Sequence, residues 1–351
     1  MSKIDIIIPI YKAHDTLGRA LASIACQWGK EDIIVTLVND ACPEGSYDDI
    51  IERFKPELCI QELKLEQNQG PGDARQLGMD KTQGDYVFFM DSDDCLASAL
   101  SIFFLRNELD AHPELVVVSG QVIEQMSDLS WGDISGDNIV WLFGKMYRRN
   151  FLQNNNIRFK EGSRSNEDVG FNSCVAFLTR GHPEMTKLVD VTVYIWMQNV
   201  NSITRRNNNE YQYRDGTIGF VDNLIYAYNF IAKRGFAPSD RLTLFEIATW
   251  ICTLHISYNS VLEERPQYIE ELWPYYQKLY DKCIRPNKNF IAPNCWREAW
   301  LQVILEEAGA GRLFWHRGTI IVSFNDFLYA LDRKKGAPEA RKLISMLQKK
   351  E

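Results

Sequence analysis

Three carboxylates fall within four residues at Asp91-Ser92-Asp93-Asp94, directly after the apolar run Tyr86-Val87-Phe88-Phe89-Met90. Adjacent carboxylates repel one another and resist leaving water, so an apolar strand ending in three of them calls for a cation. Hard oxygen donors suit magnesium or manganese, which commonly bridge one or two carboxylates to a substrate's phosphates. One or two acids here would read as a solvated turn or a helix cap. Three at a strand end favour a metal-dependent enzyme acting on a phosphate-bearing substrate.

Such a cluster needs a sheet to bring other strand ends beside it. Residues 4–10 are a nearly continuous β-branched run, as expected for a strand covered on both faces. Asp15 or Thr16 can cap a helix in which Leu17, Ala20, Leu21, Ile24 and Ala25 recur at helical spacing. A second strand over 33–38 ends in Asn39-Asp40, and a helix over 47–54, a strand over 59–65 and a helix over 72–81 follow. Strands alternating with helices imply an α/β fold with a mostly parallel sheet, whose carboxyl strand ends are where ligands bind. Further along, a helix to residue 111 and a strand over 115–119 precede a polar stretch, 125–137, that reads as a loop. Beyond Asn207-Asn208-Asn209 the pattern turns helical and aromatic, over 220–232, 242–261 and 268–280. The expected organisation is a catalytic unit over residues 1–208 and a mainly helical unit over 209–351, serving acceptor recognition or self-association.

The 351 residues carry a formal net charge of −8, which gives no global attraction to nucleic acid or anionic lipid. Eight scattered cysteines without a Cys-x-x-Cys pair read as reduced, mostly buried thiols. The start lacks the apolar stretch of a signal peptide, and no segment reaches the ~20 apolar residues that span a bilayer. A cytoplasmic protein, at most peripheral to a membrane, is the expectation.

Two other segments have their own chemistry. Pro9 and Tyr11 follow the first strand, where a backbone edge and an aromatic ring can hold a nucleobase, or where the ring can simply pack on the loop. Gly70-Pro71-Gly72 opens a helix and permits close backbone approach at an end that favours anions, with Arg75 one turn in and within reach of phosphates. Taken alone, it is also an ordinary tight turn.

Ile6-Ile7-Ile8-Pro9-Ile10-Tyr11, Val38-Asn39-Asp40, Asn68-Gln69-Gly70-Pro71-Gly72-Asp73-Ala74-Arg75, Asp91-Ser92-Asp93-Asp94 and Asn166-Glu167-Asp168 stand in an order and spacing that resemble the family-2 glycosyltransferases of the GT-A fold, over roughly the first 205 residues. The resemblance implies inverting transfer of a sugar from a nucleotide-sugar, by family frequency a UDP-sugar, with Mn2+ or Mg2+ bound. It implies that Asp40 accepts a hydrogen bond from the base, although Asn39 replaces the frequent first aspartate. Asp93 becomes the direct metal ligand, and Asp91 contacts the ribose or a metal-bound water, with Ser92 between them. Asp94 ligates or orients. Asp168 matches the catalytic base, positioned by Glu167; the same two acids also favour a helix N-terminus. Lys145 and Tyr147 would face the acceptor, and Arg205 or Arg206 would close over the diphosphate.

A surface or cell-wall glycan is the expected acceptor. A modified base in DNA is a rarer one, and the acidic charge counts against it. A nucleotidyltransferase should carry a glycine-rich loop after its first strand, where this chain has Tyr11-Lys12-Ala13-His14. An inactive nucleotide-sugar-binding scaffold would not need Asp91, Asp93 and Asp168 intact.

Overall fold

The computed structural model describes residues 2–134, 136, 141–199, 202, 211–237, 241–288 and 322–338. The chain forms two compact units, Met1–Arg206 and Asn207–Glu351. In the first, β1 (Ile4–Ile10) lies between β2 (Ile33–Asn39) and β4 (Tyr86–Phe89), parallel to both. The outer strand β3 (Cys59–Lys64) pairs parallel with β2. Ile4, Ile6, Ile7, Ile8 and Ile10 are all fully buried, which is why this strand is β-branched throughout. The helix α1 (Leu17–Ala25) turns Leu17, Ala20, Leu21 and Ile24 into the core, and α2 (Asp48–Phe54) follows β2.

Past β4 the sheet changes sense. It runs β3-β2-β1-β4-β8-β6-β9-β5, where β5 is Cys95–Leu96, β6 Val117–Gln125, β8 Lys145–Arg148 and β9 Thr186–Trp196. β8 is antiparallel to both β4 and β6, while β9 is parallel to β6. The sheet is therefore mixed, with its parallel half at the N-terminus. The polar stretch expected to be a loop over 125–137 instead contains β7 (Trp131–Ile134), hairpin-paired with β6. Cross-strand pairing overrides its weak local pattern.

The helices α3 (Pro71–Lys81), α4 (Ser101–Ala111), α5 (Arg149–Asn154) and α6 (Glu167–Thr179) complete this unit. A buried ion pair holds its lower edge. Fully buried Asp5 accepts from Arg149 at 2.5 Å and from the Gly84 amide at 2.7 Å. Arg149 also donates to the Met79 carbonyl and the Thr82 hydroxyl, both at 2.9 Å. Removing one partner of such a pair strands a buried charge, so Asp5→Ala should cost about 3–5 kcal/mol. Urea unfolding should show this as a lower midpoint, and a loss under about 1 kcal/mol would rule the pair out as a structural clamp.

The second unit contains α7 (Gly216–Ala232), α8 (Leu244–Glu264), α9 (Ile269–Leu279) and α10 (Phe324–Arg333). A capping box between Thr243 and Glu246 starts α8. Rings of Tyr258, Trp273, Tyr276 and Phe327 pack together within it, so these aromatics are core. No described helix is long and apolar enough to cross a membrane.

Candidate active site

Because β1, β2 and β4 run parallel, their carboxyl ends open along one edge. The Asp40 amide donates to the Ile10 carbonyl at 3.1 Å and the Met90 amide to that of Ile7 at 3.2 Å, so Tyr11, Asp40 and Asp91 emerge side by side. Lys12 and Ala41, the non-glycine residues just beyond, hold left-handed backbone at φ 53° and 52°. Such conformations cost energy and cluster where a loop is shaped for a ligand. Tyr11 is 43% exposed, so its ring is not consumed by loop packing. Pro9 lies within β1, in register with Val38.

Asp40 is buried, and both its oxygens are engaged: one accepts from the Gln69 amide at 2.7 Å, the other from the Gly70 amide at 2.9 Å. It therefore anchors the glycine loop to β2. Gly70, at φ 97°, turns the chain into α3, whose first residue is Pro71. A Cβ on Gly72 would come within 3.1 Å of the Glu167 Cβ and 3.2 Å of the Ser163 carbonyl, so α3 starts in close contact with the start of α6.

That contact is locked by charge. Arg75, one turn into α3 and buried, donates to Asp91 at 2.5 Å and to Glu167, itself buried. Burial opposes the guanidinium's charge, but Asp91 and Glu167 outweigh it and push its pKa up. Sequence reasoning expected Arg75 to reach phosphates. The structure makes it a bracket between the acidic strand end and α6, because two carboxylates surround it where no solvent can.

Around the strand end, Asp91, Asp93 and Asp94 each bring an oxygen within 4.8 Å of the others. Asp94 is fully buried, and its carboxylate accepts from the Tyr194 hydroxyl at 2.7 Å and the Met197 amide at 2.9 Å. These two contacts hold it in place beside Asp91 and Asp93. The Tyr194 oxygen also accepts from the Asp91 amide at 3.1 Å. Asp93, with Asn199 donating to it at 2.8 Å, and Asp91 are more open. Burial, then the neighbouring acids, push the pKa of both Asp93 and Asp94 up. A hard divalent cation would reverse that penalty, so the donor set fits Mg2+ or Mn2+.

Asp168 stands in the first turn of α6, behind Asn166 in left-handed conformation at φ 52°. Burial and then Glu167 push its pKa up to about 7, against the pull of the Val169 amide and Arg75. A carboxylate poised near neutrality is suited to general-base work.

Two acceptor-side expectations are corrected. Tyr147 is fully buried against Phe89 and Phe171, and its hydroxyl donates to Asn172 at 2.7 Å. Lys145 is buried too, its ammonium donating to the Trp141 carbonyl at 2.7 Å. Phe171 of α6 packs on the face of β8 that carries Tyr147, and neither side chain reaches solvent. Arg205 and Arg206 lie outside the described residues.

Residues 5–165 match the family described as glycosyl transferase family 2. The match lies within the first unit and spans just under half of the chain. An uncharacterized glycosyltransferase, EpsJ of Bacillus subtilis (strain 168), is 27% identical over 223 residues, 57% of this chain and 62% of that protein. The poly(ribitol-phosphate) β-N-acetylglucosaminyltransferase TarS of Staphylococcus aureus (strain MW2) is 28% identical over 184 residues, 49% of this chain and 32% of its own. The chain thus spans less than two thirds of either relative. The crystal structure of S. aureus TarS 1–349 in complex with UDP-GlcNAc aligns at a TM-score of 0.50 and 20% identity, covering 86% of this chain and 92% of that one. At that identity the likeness is one of fold: the GT-A arrangement of a mixed sheet between helices.

The residues that support these acids were the part sequence reasoning missed. Tyr194 and Asn199 hold Asp94 and Asp93 across 100 and 106 residues, where no local spacing signals their role.

Proposed function

We propose that the chain transfers a sugar, with inversion, from a nucleotide-sugar to an acceptor hydroxyl. The observation that carries this reading is the Arg75 bracket, which fixes Asp91 and Glu167 to one guanidinium and so sets the acidic strand end beside the base. Tyr11 and Pro9 receive the nucleobase, with Asp40 holding the loop that borders it. Asp93 and Asp91 would hold Mn2+ or Mg2+ on the diphosphate, with Ser92 in the turn between them. When bound, the metal neutralises charge developing on the leaving diphosphate. Gly70 and the α3 N-terminus border the same groups, and Arg205 or Arg206 is assigned to pair with them. Asp168 takes the proton of the attacking hydroxyl, and Glu167, held by Arg75, keeps it in place.

UDP is the favoured donor nucleotide, since a relative of the same fold was solved with UDP-GlcNAc. Relatives named for poly(ribitol-phosphate) point toward a surface or cell-wall polymer as acceptor. We assign catalysis to residues 1–208 in the cytoplasm and acceptor recognition or self-association to residues 209–351. Calorimetric titration with UDP, GDP and dTDP, each with Mg2+ or with chelator, tests the reading. One nucleotide should bind only with metal; no binding by any would sink it.

Gly72→Ala probes the α3–α6 contact. Displacing Glu167 by even part of an ångström should lower transfer about tenfold or more, since misplacement near 1 Å can cost ~10²-fold. Turnover under saturating donor is the readout, and an unchanged rate would show that the glycine contact does not position the base.

A further inference from the structure

Apart from the acids at the end of β4, a second set of ligating side chains converges in the first unit. His14 follows β1, and Cys42 and Glu44 follow β2; a His14 nitrogen, the Cys42 sulfur and a Glu44 oxygen all lie within 4.8 Å of one another. The two loops meet where the Lys12 amide donates to Cys42 Sγ at 3.3 Å. The Tyr47 hydroxyl donates to the same sulfur, also at 3.3 Å. Two donors on one sulfur favour its thiolate form.

The imidazole is oriented as well. Its ring stacks on buried Tyr47, with centroids 4.1 Å apart and planes 14° apart. Nε2 lies 3.1 Å from the Ser46 carbonyl, which can only accept, so Nε2 carries a hydrogen. In the neutral ring Nδ1 is then a lone pair, and it stands 3.8 Å from Glu44 Oε2. That is too long for a hydrogen bond, yet close to the spacing of two donors sharing an ion about 2 Å from each. Lys12 Nζ is 3.8 Å from the other Glu44 oxygen, and both side chains are half-exposed, so this pairing yields at little cost.

We propose that His14, Cys42 and Glu44 form a zinc site, separate from the aspartates that suit Mg2+ or Mn2+. Thiolate with imidazole selects a borderline-soft ion, whereas carboxylates alone select hard ones. The ring N–H on a backbone carbonyl is the outer contact that metal-bound imidazoles use. On binding, the Cys42 thiol releases its proton to solvent, and water takes the fourth position. Glu44, half-exposed, leaves the ion a way in. Occupied, the site ties the loop after β1 to the loop after β2 and so steadies the turn that carries Tyr11. The inference does not depend on the sugar-transfer reading.

Calorimetric titration of the chelator-stripped full chain with Zn2+, in excess Mg2+, tests it. One equivalent should bind, and Cys42→Ser should weaken it at least ~10²-fold. Glu44→Gln changes only an exposed side chain, so the fold is not at stake, and it should weaken binding about tenfold. Co2+ in place of zinc should give a thiolate-to-metal charge-transfer band in the native protein and none in Cys42→Ser. Zinc binding equally tight in both variants would mark the metal as adventitious and overturn the site. Absence of zinc binding by the native protein, or of its charge-transfer band, would overturn it too.

Discussion

Asp168→Asn should reduce transfer by about 10²–10⁴-fold while making the protein more stable above neutral pH. Burial and Glu167 raise the Asp168 pKa to about 7, from an ordinary 3.8. Between those values the folded chain keeps a proton that the unfolded chain has released. Asp168 therefore supports the fold fully below about pH 4, and that support is lost as pH rises through about 7. A shift of about 3 units at ~1.4 kcal/mol each gives an upper bound near 4 kcal/mol, and the partial exposure of Asp168 reduces it to about 1–3. Asn is neutral throughout, so the variant should match the native protein at pH 4 and exceed it at pH 8. For the native protein, kcat/KM should rise with pH through about 7, and this limb should vanish in the variant's residual activity. Denaturant unfolding at both pH values checks the first part. A variant less stable than native at pH 8 would mean that Asp168 is a structural acid and not a strained base.

The second large effect concerns the acidic strand end. Mn2+ should raise the unfolding midpoint of the native protein, by about 2.7 kcal/mol at a hundredfold excess over its Kd, and should not do so in Asp93→Asn. Burial and the charge of Asp91 already disfavour ionised Asp93, so the apo variant should be no less stable than native. Metal-dependent turnover should fall by at least ~10²-fold. Equal Mn2+ stabilisation of both proteins would place the cation elsewhere. Asp94→Asn should behave differently, because its two oxygens already serve Tyr194 and Met197, and its loss disturbs the seating of the strand end.

How legible this site was depended on whether a residue's role is local. The β-branched run of β1, the Asn39-Asp40 turn and the acids after β4 announce themselves through neighbours in sequence, and parallel pairing brings them to one edge. α6 was equally plain, since Glu167 and Asp168 mark its first turn. Arg75 was misjudged because its partners, Asp91 and Glu167, are 16 and 92 residues away. A basic residue near an anion site looks like a ligand until tertiary packing supplies carboxylates. Tyr147 failed for the matching reason: an aromatic in a basic segment resembles a binding residue, but Phe89 and Phe171, distant in sequence, pack on its ring and bury it. The β6–β7 hairpin was hidden by polar residues whose pairing, not their propensity, makes the strand. The Asp5–Arg149 clamp spans 144 residues and left no local trace.

Release of free nucleotide from a panel of nucleotide-sugars, with Mn2+ or with chelator, in native protein and Asp93→Asn, tests the central claim most directly. Metal-dependent release from one donor, abolished by chelator and by the substitution, is the expected result. Release that is indifferent to chelator and to Asp93→Asn would contradict the assignment of the Asp91–Asp93 strand end to the leaving diphosphate.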